Sequence, residues 1–119
     1  MHNFKELNVW QKARKLTKSV YTLTENFPSD ERFGIISQIR RSAISIPSNI
    51  AEGSSRNSNK DFIRFLRIAI GSSFELETQL ILSFDLDLLE ERKLEQVIIE
   101  INEVQKMLRG LEKRLTTEV

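Results

Sequence analysis

The feature that most constrains this chain is a ladder near its end: Leu94, Val97, Ile101, Val104, Leu108, Leu111 and Leu115, spaced alternately three and four apart. That spacing lays one narrow apolar stripe along an α-helix and gives a strand no continuous face. Three earlier segments share the period. The first carries Leu7, Trp10, Ala13, Leu16, Val20, Leu23 and Phe27, the second Phe33, Ile36, Ile39, Ala43, Ile46 and Ile50. The third carries Phe62, Phe65, Leu66, Ala69, Leu76 and Leu80. No segment alternates with period two, so strands are not expected. A striped helix needs other helices to cover it, and the connections are short. The pattern therefore predicts an all-α, antiparallel up-down-up-down four-helix bundle in one domain spanning residues 1–119, with helices near 7–26, 30–54, 59–84 and 90–115.

Local signals set these boundaries. Phe27-Pro28 ends the first helix, because the residue before proline is driven out of the α region. Ser29 reads as the N-cap of the second, with Asp30 and Glu31 placed where the helix dipole favours negative charge. Gly53-Ser54-Ser55 and Asn57-Ser58-Asn59 separate the second helix from the third, and Ser58 with Asp61 resembles a capping box.

Two stretches depart from plain amphipathic helix. In RRSAISIPSNIAEGSSR (residues 40–56) the apolar steps Ala43, Ile46 and Ile50 keep their phase across Pro47, which predicts one bent helix rather than two. Proline removes a ladder bond and crowds the carbonyl of Ala43. Ser45, Ser48 and Asn49 are placed to satisfy what is freed, so Pro47, Asn49 and Glu52 read as a structural kink pinned against the third helix, not as a reactive centre. In the third segment Ile63, Ile68, Ile70 and Phe74 lie off the main stripe. Either that helix is central to its own bundle, or Ile63, Ile70 and Phe74 form a subunit interface. Gly71-Ser72-Ser73 would let a neighbour approach closely, with Ala43 and Ala51 the natural partners.

Most reactive chemistry is absent from the sequence. The only histidine is His2 and there is no cysteine, so His-based triads, thiolate sites and Glu-x-x-His metal pairs cannot be assembled. No glycine-rich phosphate loop occurs, and Glu75 and Glu77 fall on different helix faces. No enzyme, metal or cofactor is expected. Without a secretory pattern or a long apolar run, a cytoplasmic, non-membrane protein is expected.

Charge is the better lead. The net charge is only +1, but residues 1–67 hold 12 Lys and Arg against 6 Asp and Glu, while the remainder holds 6 against 11. Arg56, Lys60, Arg64 and Arg67 step by three and four, with Arg40 and Arg41 upstream and Lys12 and Lys15 on the first helix. These are either solvated faces or a phosphate-contacting surface. Nothing visible would read base edges, so any nucleic-acid binding would follow backbone and shape.

The opening FKELNVWQKARKLTKSVYTLTENFP resembles the first helix of the 23S rRNA-intervening-sequence protein family. QIRRSAISIPSNIAEGSSRNSNKDFIRFLRIAIGSSFELETQL is similar to its central signature, and KMLRGLEKRL to its last helix. The resemblance implies a four-helix bundle assembled as a ring, a homopentamer, associated with rRNA or ribosomes. A related branch resembles the accessory proteins of diversity-generating retroelements, basic rings that contact a reverse transcriptase and nucleic acid. The expectation is therefore a non-enzymatic homo-oligomer that binds structured RNA through Arg40, Arg41, Arg56, Lys60, Arg64 and Arg67, with Lys12 and Lys15 as weaker contributors. The alternative is a protein-interaction scaffold or accessory ring for a partner such as a reverse transcriptase.

Overall fold

The computed structural model describes residues 2–31 and 34–118. They form α1 (Asn8–Thr24), α2 (Ile35–Ser54), α3 (Asn59–Asp85) and α4 (Glu91–Thr117), with single 3₁₀ turns at Phe4–Glu6 and Ser29–Glu31. This is the expected all-α four-helix bundle. Cross-helix bonds fix its sense. Thr17 of α1 reaches Ala43 of α2 whereas Thr24 reaches Arg40. Between α3 and α4, Arg67 meets Glu112 whereas Glu77 meets Gln105. Partners descend on one helix as they ascend on the other, so successive helices are antiparallel. Among the described residues each helix packs on its sequence neighbours and α1 closes against α4, while the backbones of the diagonal pairs stay farther apart. The bundle measures 46 × 24 × 20 Å, its length set by two helices of 27 residues at about 1.5 Å per residue. No described helix is long and apolar enough to cross a membrane.

The expected stripes form the core, with three differences. On α1 the buried line is Val9, Ala13, Leu16, Val20 and Thr24. Trp10 sits on its flank, half-buried, with its ring 5.0 Å from that of Phe4 in an edge-on arrangement. The second helix starts later than expected. Ser29 opens a 3₁₀ turn rather than capping α2, and the α-helix begins at Ile35. The chain has to reverse between α1 and α2, and it does so through local bonds from Glu31 N to the Pro28 carbonyl (3.0 Å) and from Gly34 N to the Glu31 carbonyl (3.1 Å). Phe33, expected on the α2 stripe, lies outside the described residues.

The third difference concerns α3. Ile63 and Ile70 belong to the chain's own core, 8% and 5% exposed, whereas Phe74 is 49% exposed. A helix flanked by α2 on one side and α4 on the other buries a wide arc, which accounts for much of the stripe's width within one chain. What remains outside is Ile68, Phe74, Ile81 and Leu82. Gly71 lies among them, and a Cβ there would meet nothing within 4 Å. Its smallness therefore does not serve the approach of α2, which is met instead by the buried Ser72, bonded to Ser45. The close approach is at Gly53, where a Cβ would come within 2.8 Å of both the Phe62 ring and Phe65 Cβ.

The connections are chemically explicit. Ser58 caps α3 by accepting from Asp61 N at 3.1 Å, the forward half of the expected capping box. After α3, Asp87 takes φ 63°. Asp87 N donates to the Phe84 carbonyl (3.0 Å) and Leu88 N to the Ser83 carbonyl (2.9 Å), the two bonds of a Schellman ending. Aspartate tolerates this left-handed conformation less well than glycine. Asp87→Gly is expected to stabilise the fold by about 0.5–1 kcal/mol, measured as a higher urea midpoint at unchanged m-value.

Pro47 lies inside one unbroken α2. The Ala43 carbonyl that it deprives of an N–H partner is met from α1, where Thr17 Oγ1 donates to it at 3.3 Å while also donating to the Ala13 carbonyl at 2.8 Å. Asn49 Nδ2 donates to the Ser45 carbonyl at 2.8 Å and to Ser45 Oγ at 3.0 Å. Ser45 Oγ in turn shares a 2.7 Å bond with Ser72 of α3. Asn49 thus reaches α3 through Ser45, while Glu52 points elsewhere, toward Arg56.

Candidate nucleic-acid interface

The free end of a cation, not its position in sequence, decides whether it can meet a phosphate. Several of the expected contact residues are engaged within the chain. Arg40 donates from Nε to Thr24 Oγ1 (2.9 Å) and from Nη2 to the Tyr21 carbonyl (3.4 Å), and its guanidinium lies 4.4 Å from the Tyr21 ring centre. It ties α2 to the last turn of α1, adding to the bonds that the Tyr21 carbonyl already accepts from Glu25 N and Thr24 Oγ1. Arg56 pairs with Glu52 at 3.1 Å and Arg64 with Asp61 at 3.5 Å. Both guanidiniums lie 4.7 Å from the centre of the buried Phe65 ring. Arg67 meets Glu112 at 2.6 Å, a carboxylate that Arg109 also approaches at 3.8 Å. Lys12 pairs with Glu103 at 3.0 Å.

The other three expected residues are exposed and form no ion pair among the described residues: Arg41, Lys60 and Lys15. Lys60 stands on α3, away from the other two. Arg41 lines an open groove with Ile44, Ser48 and Asn49 on α2 and Tyr21 on α1. Lys15 has company that was not anticipated. Arg14 and Lys18 share its side of α1, and with Lys5 of the preceding 3₁₀ turn they surround an open cleft of about 850 Å³, in which every charged lining residue is a cation. These too form no ion pair among the described residues.

The reason is local. Between residues 7 and 24 the sequence holds four Lys and Arg and no carboxylate, so no cation of α1 has an acid three or four positions away, as Arg56 and Arg64 do. Only Lys12, on the flank toward α4, finds an acid. Gln11, Arg14, Lys15 and Lys18 recur at threes and fours opposite the buried line, so one turn after another presents an unneutralised charge to solvent. That carboxylate-free window is the sequence sign of this surface, whereas the spacing and clustering of basic residues point to Arg40, Arg41, Arg56, Lys60, Arg64 and Arg67.

Trp10 stands at the edge of this face, with the Arg14 guanidinium 5.7 Å from its ring. The N-terminal arm is held in place below it, since His2 N donates to the Ser54 carbonyl at 3.1 Å and the His2 ring lies 5.1 Å from that of Phe62. A separate open groove of about 500 Å³ between α1 and α4 is lined by Lys15, Lys18 and Lys93 but also by Glu100. Glu100 accepts from Ser19 at 3.0 Å. Among the described residues no three His, Cys, Asp or Glu side chains could together hold a metal ion.

Fold and surface define a small antiparallel helical bundle in which α1 presents cations with no carboxylate among them. The family model described as 23S rRNA-intervening sequence protein matches residues 5–110, and the chain belongs to that family. It is also similar to a crystal structure from Bacteroides thetaiotaomicron, a protein of unknown function in the S23 ribosomal protein family. That similarity has a TM-score of 0.82 at 27% identity and covers 88% of this chain and 95% of that one. No curated protein matches the chain.

Proposed function

We propose that this protein is a non-enzymatic, cytoplasmic homo-oligomer, a pentameric ring as the family resemblance implies, that binds structured RNA, rRNA foremost, through its basic surface. The observation that carries this reading is the set of cations Arg14, Lys15 and Lys18 on α1, with Lys5 beside them, that form no ion pair among the described residues, in a chain of the family described as 23S rRNA-intervening sequence protein. Arg41 and Lys60 are further free charges, while Arg40, Arg56, Arg64, Arg67 and Lys12 contribute mainly to the fold. Cations without a carboxylate partner are the ones that release counterions when they meet phosphate.

The test is a salt series with a 23S rRNA fragment. Affinity should fall steeply as salt rises, and replacing Arg14, Lys15 and Lys18 together by Gln should reduce the slope of log K against log salt by about two to three. Replacing Arg40 or Arg67 by Gln should lower the melting temperature with little change in that slope. No binding at low salt, or a slope indifferent to the triple change, sinks the reading.

The second reading, a scaffold or accessory ring for a partner such as a reverse transcriptase, draws on the apolar outer face of α3. Ile68, Phe74, Ile81 and Leu82 are exposed there around the open Gly71. Phe74→Glu distinguishes the uses of that face by native mass spectrometry. Loss of the oligomer assigns the face to self-association, and an intact oligomer leaves it available to another protein.

A further inference from the structure

Two clefts meet at Trp10 and Arg14, which line both. The larger, of about 850 Å³, is the cationic one bounded by Lys5, Lys15 and Lys18. The smaller, of about 370 Å³, is walled by Phe4 and Trp10 on one side and by Pro47, Ser48 and Ala51 of α2 on the other. The charged lining of the larger cleft is all cationic, with Trp10 and Gln11 beside it, while its neighbour is mostly aromatic and aliphatic, with Arg14 and Thr17 completing it. Phosphate-sugar backbone and nucleobase have that same division of chemistry at the same short separation.

We propose that these paired clefts bind an unpaired nucleotide of single-stranded RNA, with the base against Trp10 in the smaller cleft and its flanking phosphates along Arg14, Lys15 and Lys18 in the larger. This rests on the RNA-binding reading and adds the class of RNA. A duplex keeps its bases stacked inside and offers none of their faces to an aromatic wall, whereas single strands can splay a base onto one. The site is organised before any ligand arrives: Phe4 braces the indole edge-on at 5.0 Å, the guanidinium of Arg14 stands 5.7 Å from it, and Pro47 gives the opposite wall a rigid ring. Stacking accepts any base, so the preference is for unpaired RNA and not for a sequence.

Trp10 is the only tryptophan in the chain, so its emission reports on this site alone. The experiment titrates the full-length protein with a single-stranded RNA oligonucleotide and, separately, with a blunt RNA duplex of equal length, following tryptophan emission and, on labelled RNA, anisotropy. The single strand is expected to quench the emission, and the duplex to raise anisotropy without quenching. Trp10→Leu should weaken single-strand binding by roughly tenfold, Trp10→Phe should restore most of it, and Ser48→Leu, an exposed change on α2 that narrows the small cleft, should weaken it with no change in melting temperature. Single-strand binding with unaltered emission, equal quenching by the duplex, or wild-type affinity in both Trp10→Leu and Ser48→Leu would overturn the cleft assignment while leaving RNA binding intact. No anisotropy change with either RNA at low salt overturns both.

Discussion

Gly53→Ala is expected to destabilise the bundle by about 1–3 kcal/mol, even though alanine is the better helix former by about 1 kcal/mol. A methyl group at this position would sit 2.8 Å from a Phe62 ring carbon and 2.8 Å from Phe65 Cβ. The ring could rotate away, but Phe65 Cβ moves only with the backbone of α3. Phe62 is also fully buried, so its displacement propagates into a close-packed core. The two helices would have to part where they approach most closely, next to the turn that joins them. Gly71→Ala and Gly110→Ala provide the control of opposite sign. Nothing stands within 4 Å of a Cβ at either site, and each should gain about 0.5–1 kcal/mol from helix propensity. Urea unfolding at low protein concentration measures all three, and a stabilised Gly53→Ala would refute the proximity argument.

The second large effect concerns the carbonyl that Pro47 leaves without a backbone partner. Thr17→Val keeps shape and volume but removes the hydroxyl that donates to Ala43, whose residue is fully buried. An unsatisfied buried acceptor costs about 1–3 kcal/mol, and the 3.3 Å length of this bond puts the expectation at the lower end. In a Pro47→Ala background the restored N–H of residue 47 can satisfy that carbonyl directly, so Thr17→Val should then cost little. The loss of the second bond, to the Ala13 carbonyl, matters less because that acceptor already has its helical donor. The double-mutant cycle isolates the coupling. A Thr17→Val penalty that is the same with and without Pro47 would show that the hydroxyl serves something other than the proline gap.

The architecture was legible because it rests on periodicity. The three-four spacing of Leu94 to Leu115 and of Ile36 to Ile50 can be satisfied only by burying one side of a helix, and four such helices with short connections leave few arrangements. Legibility fell where the outcome depends on contacts between helices. Val9 rather than Trp10 takes the buried line of α1 because Phe4, in the arm, comes to lie against the indole. Ile63 and Ile70 were candidates for a subunit interface; two flanking helices bury them within the chain. The same limit applied to charge. Glu112 lies 45 positions from Arg67, and no local pattern reveals that they pair. The free cations of α1 were legible in principle, since a helix without carboxylates cannot neutralise itself, whereas the cleft beside Trp10 requires Pro47 and Ala51 of another helix and has no signature in α1 alone.

The square wiring of the bundle, with neighbours touching and diagonals apart, also bears on how the chain folds. Three of its four helix interfaces join elements adjacent in sequence, and only α1 with α4 brings together distant segments. Such a chain has a low contact order, and helical proteins of that kind fold in microseconds to milliseconds. Synthesis proceeds from the N-terminus at about 5–20 residues per second, slow by comparison. The α1–α2 hairpin can therefore pair while later helices are still being made. Until Glu100 and Glu103 arrive, Ser19 and Lys12 have no partner, so the flank of α1 that faces α4 is the last part of it to be covered.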